Sequence, residues 1–161
     1  MAFLHKYNLN CALCDDMGLG KTIQALCLMA NESVLLKKQL QEKKYAKQES
    51  EDASLKTHSK CSLVVCPSTL TRNWLIETKK FFHQKDLKAA IYEGSLETRK
   101  NILSNLTEID LLISSDEKIR NDIGFLETQN FFYIILDEAH FNKNSKAKIT
   151  KAIKKLNGEE N

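Results

Sequence analysis

The stretch Cys11–Thr22, "CALCDDMGLGKT", decides how the chain is read. It closes as a phosphate-binding loop closes, on a glycine, a lysine and a hydroxyl residue. Asp15, however, stands where the full G-x-x-x-x-G-K-[ST] spelling has its first glycine. The apolar run before Asp15 predicts a short strand, and Thr22–Ala30, "TIQALCLMA", has helical periodicity. Strand, glycine loop and helix are the setting in which such a loop holds phosphate. Gly18 and Gly20 let the backbone approach a polyphosphate, and the helix opening at Lys21 adds the positive end of its dipole. Lys21 would bring a point charge to the outer phosphates, and the Thr22 hydroxyl would ligate Mg2+.

A second motif complements the first. Asp137-Glu138-Ala139-His140 directly follows "FFYIIL" (Phe131–Leu136), a run apolar at every position that predicts a central strand covered on both faces. Both carboxylates would then emerge at the C-terminal edge of a sheet, where open α/β sheets bind their ligands. Asp137 is suited to hold Mg2+ through water, and Glu138 to orient and polarise an attacking water. Loop and acidic pair together predict a nucleoside triphosphate with magnesium as the cofactor.

The remaining segments predict α/β alternation. "CSLVVC" (Cys61–Cys66), "KAAIYEG" (Lys88–Gly94) and "DLLISS" (Asp110–Ser115) read as strands. "TLTRNWLIETKKFF" (Thr69–Phe82) and "LETRKNILSNL" (Leu96–Leu106) read as helices, with a short helix near Lys118–Phe125 and a basic one over Lys146–Leu156. Trp74 falls on an apolar stripe with Leu70 and Phe81, as a core residue would. This order predicts an α/β fold: one P-loop lobe with a mainly parallel sheet and helices on both faces. The lobe would span residues 1–157, with a polar, lysine-rich insertion at about 36–60 and a polar tail at 158–161.

Composition narrows the partners. The net charge of +3 is the small difference between 24 basic and 21 acidic residues, so a nucleic-acid partner has to be argued from motifs. No apolar run approaches the roughly 20 residues that cross a bilayer, and no membrane partner is expected. Five cysteines, four of them (Cys14, Cys27, Cys61, Cys66) inside apolar runs, suit small core side chains in a reducing compartment better than a disulfide framework. Cys11-x-x-Cys14 as half a zinc site is the weaker reading, because Cys61 and Cys66 have the wrong spacing to complete it.

The motifs, in order, resemble those of superfamily 2 helicase-like ATPases. "DDMGLGKTIQ" (Asp15–Gln24) is similar to the SWI/SNF-type branch, whose loop begins with an acidic pair in place of the missing glycine. "SLVVCPSTLTRNW", "IRNDIGF" and "ILDEAHFNKN" add a resemblance to the TATA-binding-protein-associated, modifier-of-transcription group within that branch. Cys14 and the Cys66–Thr71 run favour that group over nucleosome remodellers. The resemblance implies a RecA-like lobe that binds ATP through Asp16, Met17, Gly18, Leu19, Gly20, Lys21 and Thr22, with Lys21, Asp137 and Glu138 catalytic. It implies a coupling role for His140 and a double-stranded DNA contact near Pro67, Ser68 and Thr69. Further implications are removal of TATA-binding protein from DNA, a nuclear location, and dependence on a second RecA-like lobe. Asp116-Glu117 departs from the branch, which has Tyr-Asp there.

The family's adenine-recognising segment and its Ser-Gly-Thr-Pro motif fall outside these 161 residues, as does the second lobe with its arginine finger. Such an arginine is worth ~10³–10⁵ in rate, so the chain by itself is expected to bind ATP weakly and to turn it over very slowly. Two other functions fit the motifs: a nucleotide-binding or partner-binding module without hydrolysis, and a nucleosome remodeller of the same branch.

Overall fold

The computed structural model describes residues 20, 22–31, 35, 61–83 and 85–137 and divides the chain into two compact units, Met1–Gln48 and Glu49–Asn161. In the first unit residues 22–31 form a helix, α1, as the periodicity predicts. Ala25, Leu26, Met29 and Ala30 are buried along one face of it. Cys27 lies outside that arc and is exposed, which corrects its assignment as a core side chain.

The described residues of the second unit form a four-stranded sheet in the order β2-β3-β1-β4, with every pairing parallel. Its strands are β1 (Ser62–Cys66), β2 (Ala89–Ile91), β3 (Leu111–Ser115) and β4 (Ile134–Leu136). Helices make each connection, because parallel strands need a crossover. α2 (Thr71–Phe81) leads from β1 to β2, α3 (Leu96–Ser104) from β2 to β3, and α4 (Asp116–Asn121) with α5 (Ile123–Leu126) from β3 to β4.

β1 and β3 are buried at every position, as strands covered on both faces must be. Leu63, Val65 and Leu112 enter one core cluster with Tyr92, Leu103, Leu106, Ile109, Ile119 and Leu126. By the two-residue period of a strand, Val64, Leu111 and Ile113 face the other way, and they are fully buried as well. α2 packs against β2 and β3 and contributes nothing to the first cluster.

Several boundaries are set by side chains. Ser95 caps α3 by accepting from the Thr98 N–H at 3.2 Å, and Ser115 caps α4 by accepting from the Lys118 N–H at 3.3 Å. Asp116 and Glu117, the departure from the branch pattern, therefore occupy the first turn of a capped helix, where the dipole favours negative charge. Gly94, in the turn between β2 and α3, has φ +97°, and its carbonyl accepts from Arg99 Nη1 at 2.6 Å. The single helix expected near Lys118–Phe125 is instead two. They part at Asp122, whose carboxylate is gripped by Arg99 through Nε and, at 3.1 Å, through Nη2.

Two expectations are corrected. The Phe131–Leu136 run forms only a three-residue strand, and among the described strands β4 lies at an edge, with Leu136 44% exposed. Among the described strands β3 and β1 hold the central positions and β4 pairs with β1 alone; the strand expected before Asp15 lies outside the described residues. The inward face of α2 carries Thr71, Trp74 and Thr78, while Phe81 is exposed. Threonines are tolerated there because Thr71 Oγ1 donates to the Ser68 carbonyl at 2.9 Å and Thr78 Oγ1 to the Trp74 carbonyl at 2.7 Å. Residues 36–60 and the helix expected over Lys146–Leu156 lie outside the described residues.

Leu112→Ala, which opens a cavity at a fully buried site, should cost about 2–5 kcal/mol in urea unfolding. The Arg99 guanidinium, chiefly through its hydrogen bonds, holds the Asp122 carboxyl below its ordinary value of 3.8, with burial opposing. A depressed carboxylate contributes stability that is complete above its unfolded value and is lost as pH falls through its folded one. Asp122→Asn should therefore lower the unfolding midpoint at pH 7, and the gap from wild type should close as the pH drops below 3.8.

Candidate functional site

All four strands run the same way, so their C-terminal ends form one edge. Cys66 pairs with Ser115, and Val65 with Leu136, so the residue after β4 is level with the ends of β1 and β3. That residue is Asp137. Its N–H extends the ladder by donating to the Val65 carbonyl at 2.9 Å, which fixes where the half-buried side chain emerges. Oδ2 accepts from the indole Nε1 of Trp74 at 2.7 Å, and among the described residues no hydrogen bond reaches Oδ1.

The same edge carries the turn after β1. Pro67 is followed by a 3-10 turn, Ser68–Leu70, in which the Leu70 N–H donates to the Pro67 carbonyl at 2.9 Å. Ser68 and Thr69 are exposed there, just before α2. Sequence reasoning had Trp74 as core, and it is buried, 3% exposed. What that reasoning missed is its indole partner, 63 residues away. The available signal was that an indole N–H inside a core needs an acceptor.

Cys66 sits between two acids at this edge. Burial, then the charges of Asp137 and Asp116, push its thiol from 9.0 up to about 12. It remains protonated at neutral pH, with Sγ 3.9 Å from the Ser114 carbonyl as a weak donor.

In the first unit, Gly20 has φ +75°, and a Cβ there would meet Ile23 Cγ2 at 3.1 Å. Its carbonyl accepts the Gln24 N–H at 3.0 Å, so α1 begins at this glycine, with Thr22 in its first turn. Asp16, Met17, Gly18, Leu19, Lys21, Glu138 and His140 lie outside the described residues, as do Cys11 and Cys14.

The donor chemistry fits magnesium. Asp137 offers a hard carboxylate oxygen at the edge of the second unit's sheet. Mg2+ characteristically takes one or two carboxylates together with substrate phosphates, rather than an all-protein cage. Among the described residues no group of three or more His, Cys, Asp or Glu side chains could form such a cage.

A parallel sheet flanked by helices, with an acidic residue at the C-terminal end of a strand, defines an α/β lobe of the RecA-like type. The model of the SNF2-related domain matches residues 1–161, and the chain belongs to that family. It is 40% identical to TATA-binding protein-associated factor 172 of Homo sapiens over 97% of this chain and 8% of that protein. It is 35% identical to TATA-binding protein-associated factor MOT1 of Saccharomyces cerevisiae over the same shares, 97% and 8%. The ATP-dependent helicase FUN30 of that yeast is 32% identical over 88% of this chain and 11% of its own length. The chain thus spans about a twelfth of the TATA-binding protein-associated relatives it matches.

At pH 8 the raised Cys66 thiol should hold about 10³-fold less thiolate than an unperturbed one. Iodoacetamide should therefore label exposed Cys27 in the native chain and reach Cys61 and Cys66 only on unfolding, as read by peptide mass spectrometry. A raised thiol also stabilises the fold below its unfolded value, and that contribution is lost as pH rises. The unfolding free energy should accordingly fall between 9 and about 12.

Proposed function

We propose that this SNF2-related, helicase-like ATPase domain is the ATP-binding motor lobe of a DNA-dependent translocase. Within a complete enzyme it would remove TATA-binding protein from DNA in the nucleus. The observation that carries the reading is the likeness to TATA-binding protein-associated factors over 97% of the chain, at 34–40% identity. We take residues 1–157 as one lobe with an insertion at about 36–60.

In this reading the backbone of Asp16–Gly20 wraps the nucleotide phosphates, and Lys21 places its ammonium on the outer ones. Gly20, already in the left-handed region, lets the chain turn into α1 without a side chain in the way. Thr22 and Asp137 would hold Mg2+, which would neutralise negative charge on the phosphoryl group transferred from ATP. Glu138 would orient a water and take up its proton. His140 couples this edge to DNA. Ser68 and Thr69, exposed at the head of α2, donate hydrogen bonds to backbone phosphates, a contact that positions without reading sequence.

The test joins this chain to a second RecA-like lobe and measures ATP hydrolysis with and without duplex DNA. DNA should stimulate the rate, Glu138→Gln should reduce it roughly 10²-fold or more, and Lys21→Ala should weaken nucleotide binding. Equal rates with and without DNA would contradict the translocase reading. Release of TATA-binding protein from a labelled duplex, compared with sliding of a nucleosome, separates the two targets.

A further inference from the structure

We propose that Trp74 is the positioning residue of the metal-holding carboxylate. Its indole N–H fixes Asp137 so that Oδ1 is presented to the magnesium-nucleotide complex. This inference rests on the functional reading above and adds a residue to it.

The geometry is specific. The indole has a single N–H, which donates and cannot accept, and here it meets Oδ2 of Asp137 at 2.7 Å. Both ends of the contact are anchored. Trp74 is 3% exposed on the inward face of α2, and its carbonyl is held by Thr78 Oγ1 at 2.7 Å. Asp137 is tied by its own N–H to Val65 at 2.9 Å, which leaves mainly the side-chain torsions free. The indole removes that freedom by choosing one oxygen. Among the described residues, the other oxygen has no competing hydrogen bond. A carboxylate that ligates a metal needs such an outer partner, because an unrestrained one pays the cost of ordering each time the metal binds. Any buried indole N–H needs an acceptor; here the acceptor is the side-chain carboxylate at the sheet edge rather than a nearby backbone carbonyl. The element that supplies it is also notable: α2 begins at the exposed Ser68–Leu70 turn, so one helix carries both that turn and the hydrogen bond to Asp137.

The test uses the full chain. Trp74 is its only tryptophan, so the indole N–H gives a single resonance in a ¹⁵N-labelled sample. Binding of a fluorescent, non-hydrolysable ATP analogue is titrated with Mg2+ in the wild type, in Trp74→Phe, and in a chain carrying 3-benzothienylalanine at position 74. That analogue keeps the bicyclic shape and replaces N–H by sulfur, so it preserves the core even where Trp74→Phe unfolds the chain. Loss of the N–H should weaken the Mg2+ requirement's half-point about 10–100-fold while leaving magnesium-free analogue binding within about twofold. The wild-type indole resonance should shift when Mg2+ is added to the analogue-bound chain. An unchanged Mg2+ half-point with benzothienylalanine would overturn the positioning role and leave the functional reading standing. An equal loss with and without Mg2+ would also overturn it, because it would mark a purely structural residue. A wild-type chain whose analogue binding ignores Mg2+ would overturn the functional reading and this inference together.

Discussion

The pairing of β4 with β1 is the constraint on which the rest depends. Leu63, Val64 and Val65 face Ile134, Ile135 and Leu136 in parallel register, and the Asp137 N–H adds one more rung on Val65. Because side chains alternate along a strand, a slip of one residue would exchange the faces of β4 and carry Asp137 away from the end of β1. The register is secured on both sides of the strand. Phe132 donates to the Cys61 carbonyl at 2.8 Å before it, and Phe131 and Ile134 pack against the core cluster. A carboxylate at the sheet edge is thus a consequence of how the core closes.

The edge shows how burial and charge are balanced around that carboxylate. Cys66 is neutral because it is buried beside two acids, and so it adds no charge to the site. Asp116 is tied to Arg120 at 3.3 Å, four residues along the same helix, and sits near the positive end of α4. Asp122 is held by Arg99. Asp137 differs from both, since its one described side-chain partner is a neutral donor. Among the described residues no cation pairs with Asp137, and an acid in that state is suited to receive one.

Much of the architecture was legible because the strand signals were strong. "SLVVC" and "LLISS" are short apolar runs between polar segments, and each became a buried parallel strand within a residue of its expected limits. Boundaries that depend on side-chain hydrogen bonds were harder to read. The break at Asp122 follows from an arginine 23 residues earlier, which no local pattern announces. Phe131–Leu136 is wholly apolar, yet half of the run is not strand, because apolarity reports burial and not backbone conformation. Likewise the periodicity of α2 put Phe81 inside, where Thr71 and Thr78 lie instead. Of the candidate site, Asp137 and the turn after β1 are read directly from the sequence, whereas the hydrogen bond from the Trp74 indole to Asp137 is not. Long-range pairing of a donor and an acceptor leaves no trace in spacing.

The central claim is that Asp137 serves a magnesium-nucleotide site. Its most direct test is equilibrium binding of a fluorescent ATP analogue to the full chain, with and without Mg2+, in wild type and Asp137→Asn. The account predicts that Mg2+ tightens binding to the wild type and that Asp137→Asn loses most of that gain while its magnesium-free binding is unchanged. A Mg2+ effect of the same size in both proteins would contradict it.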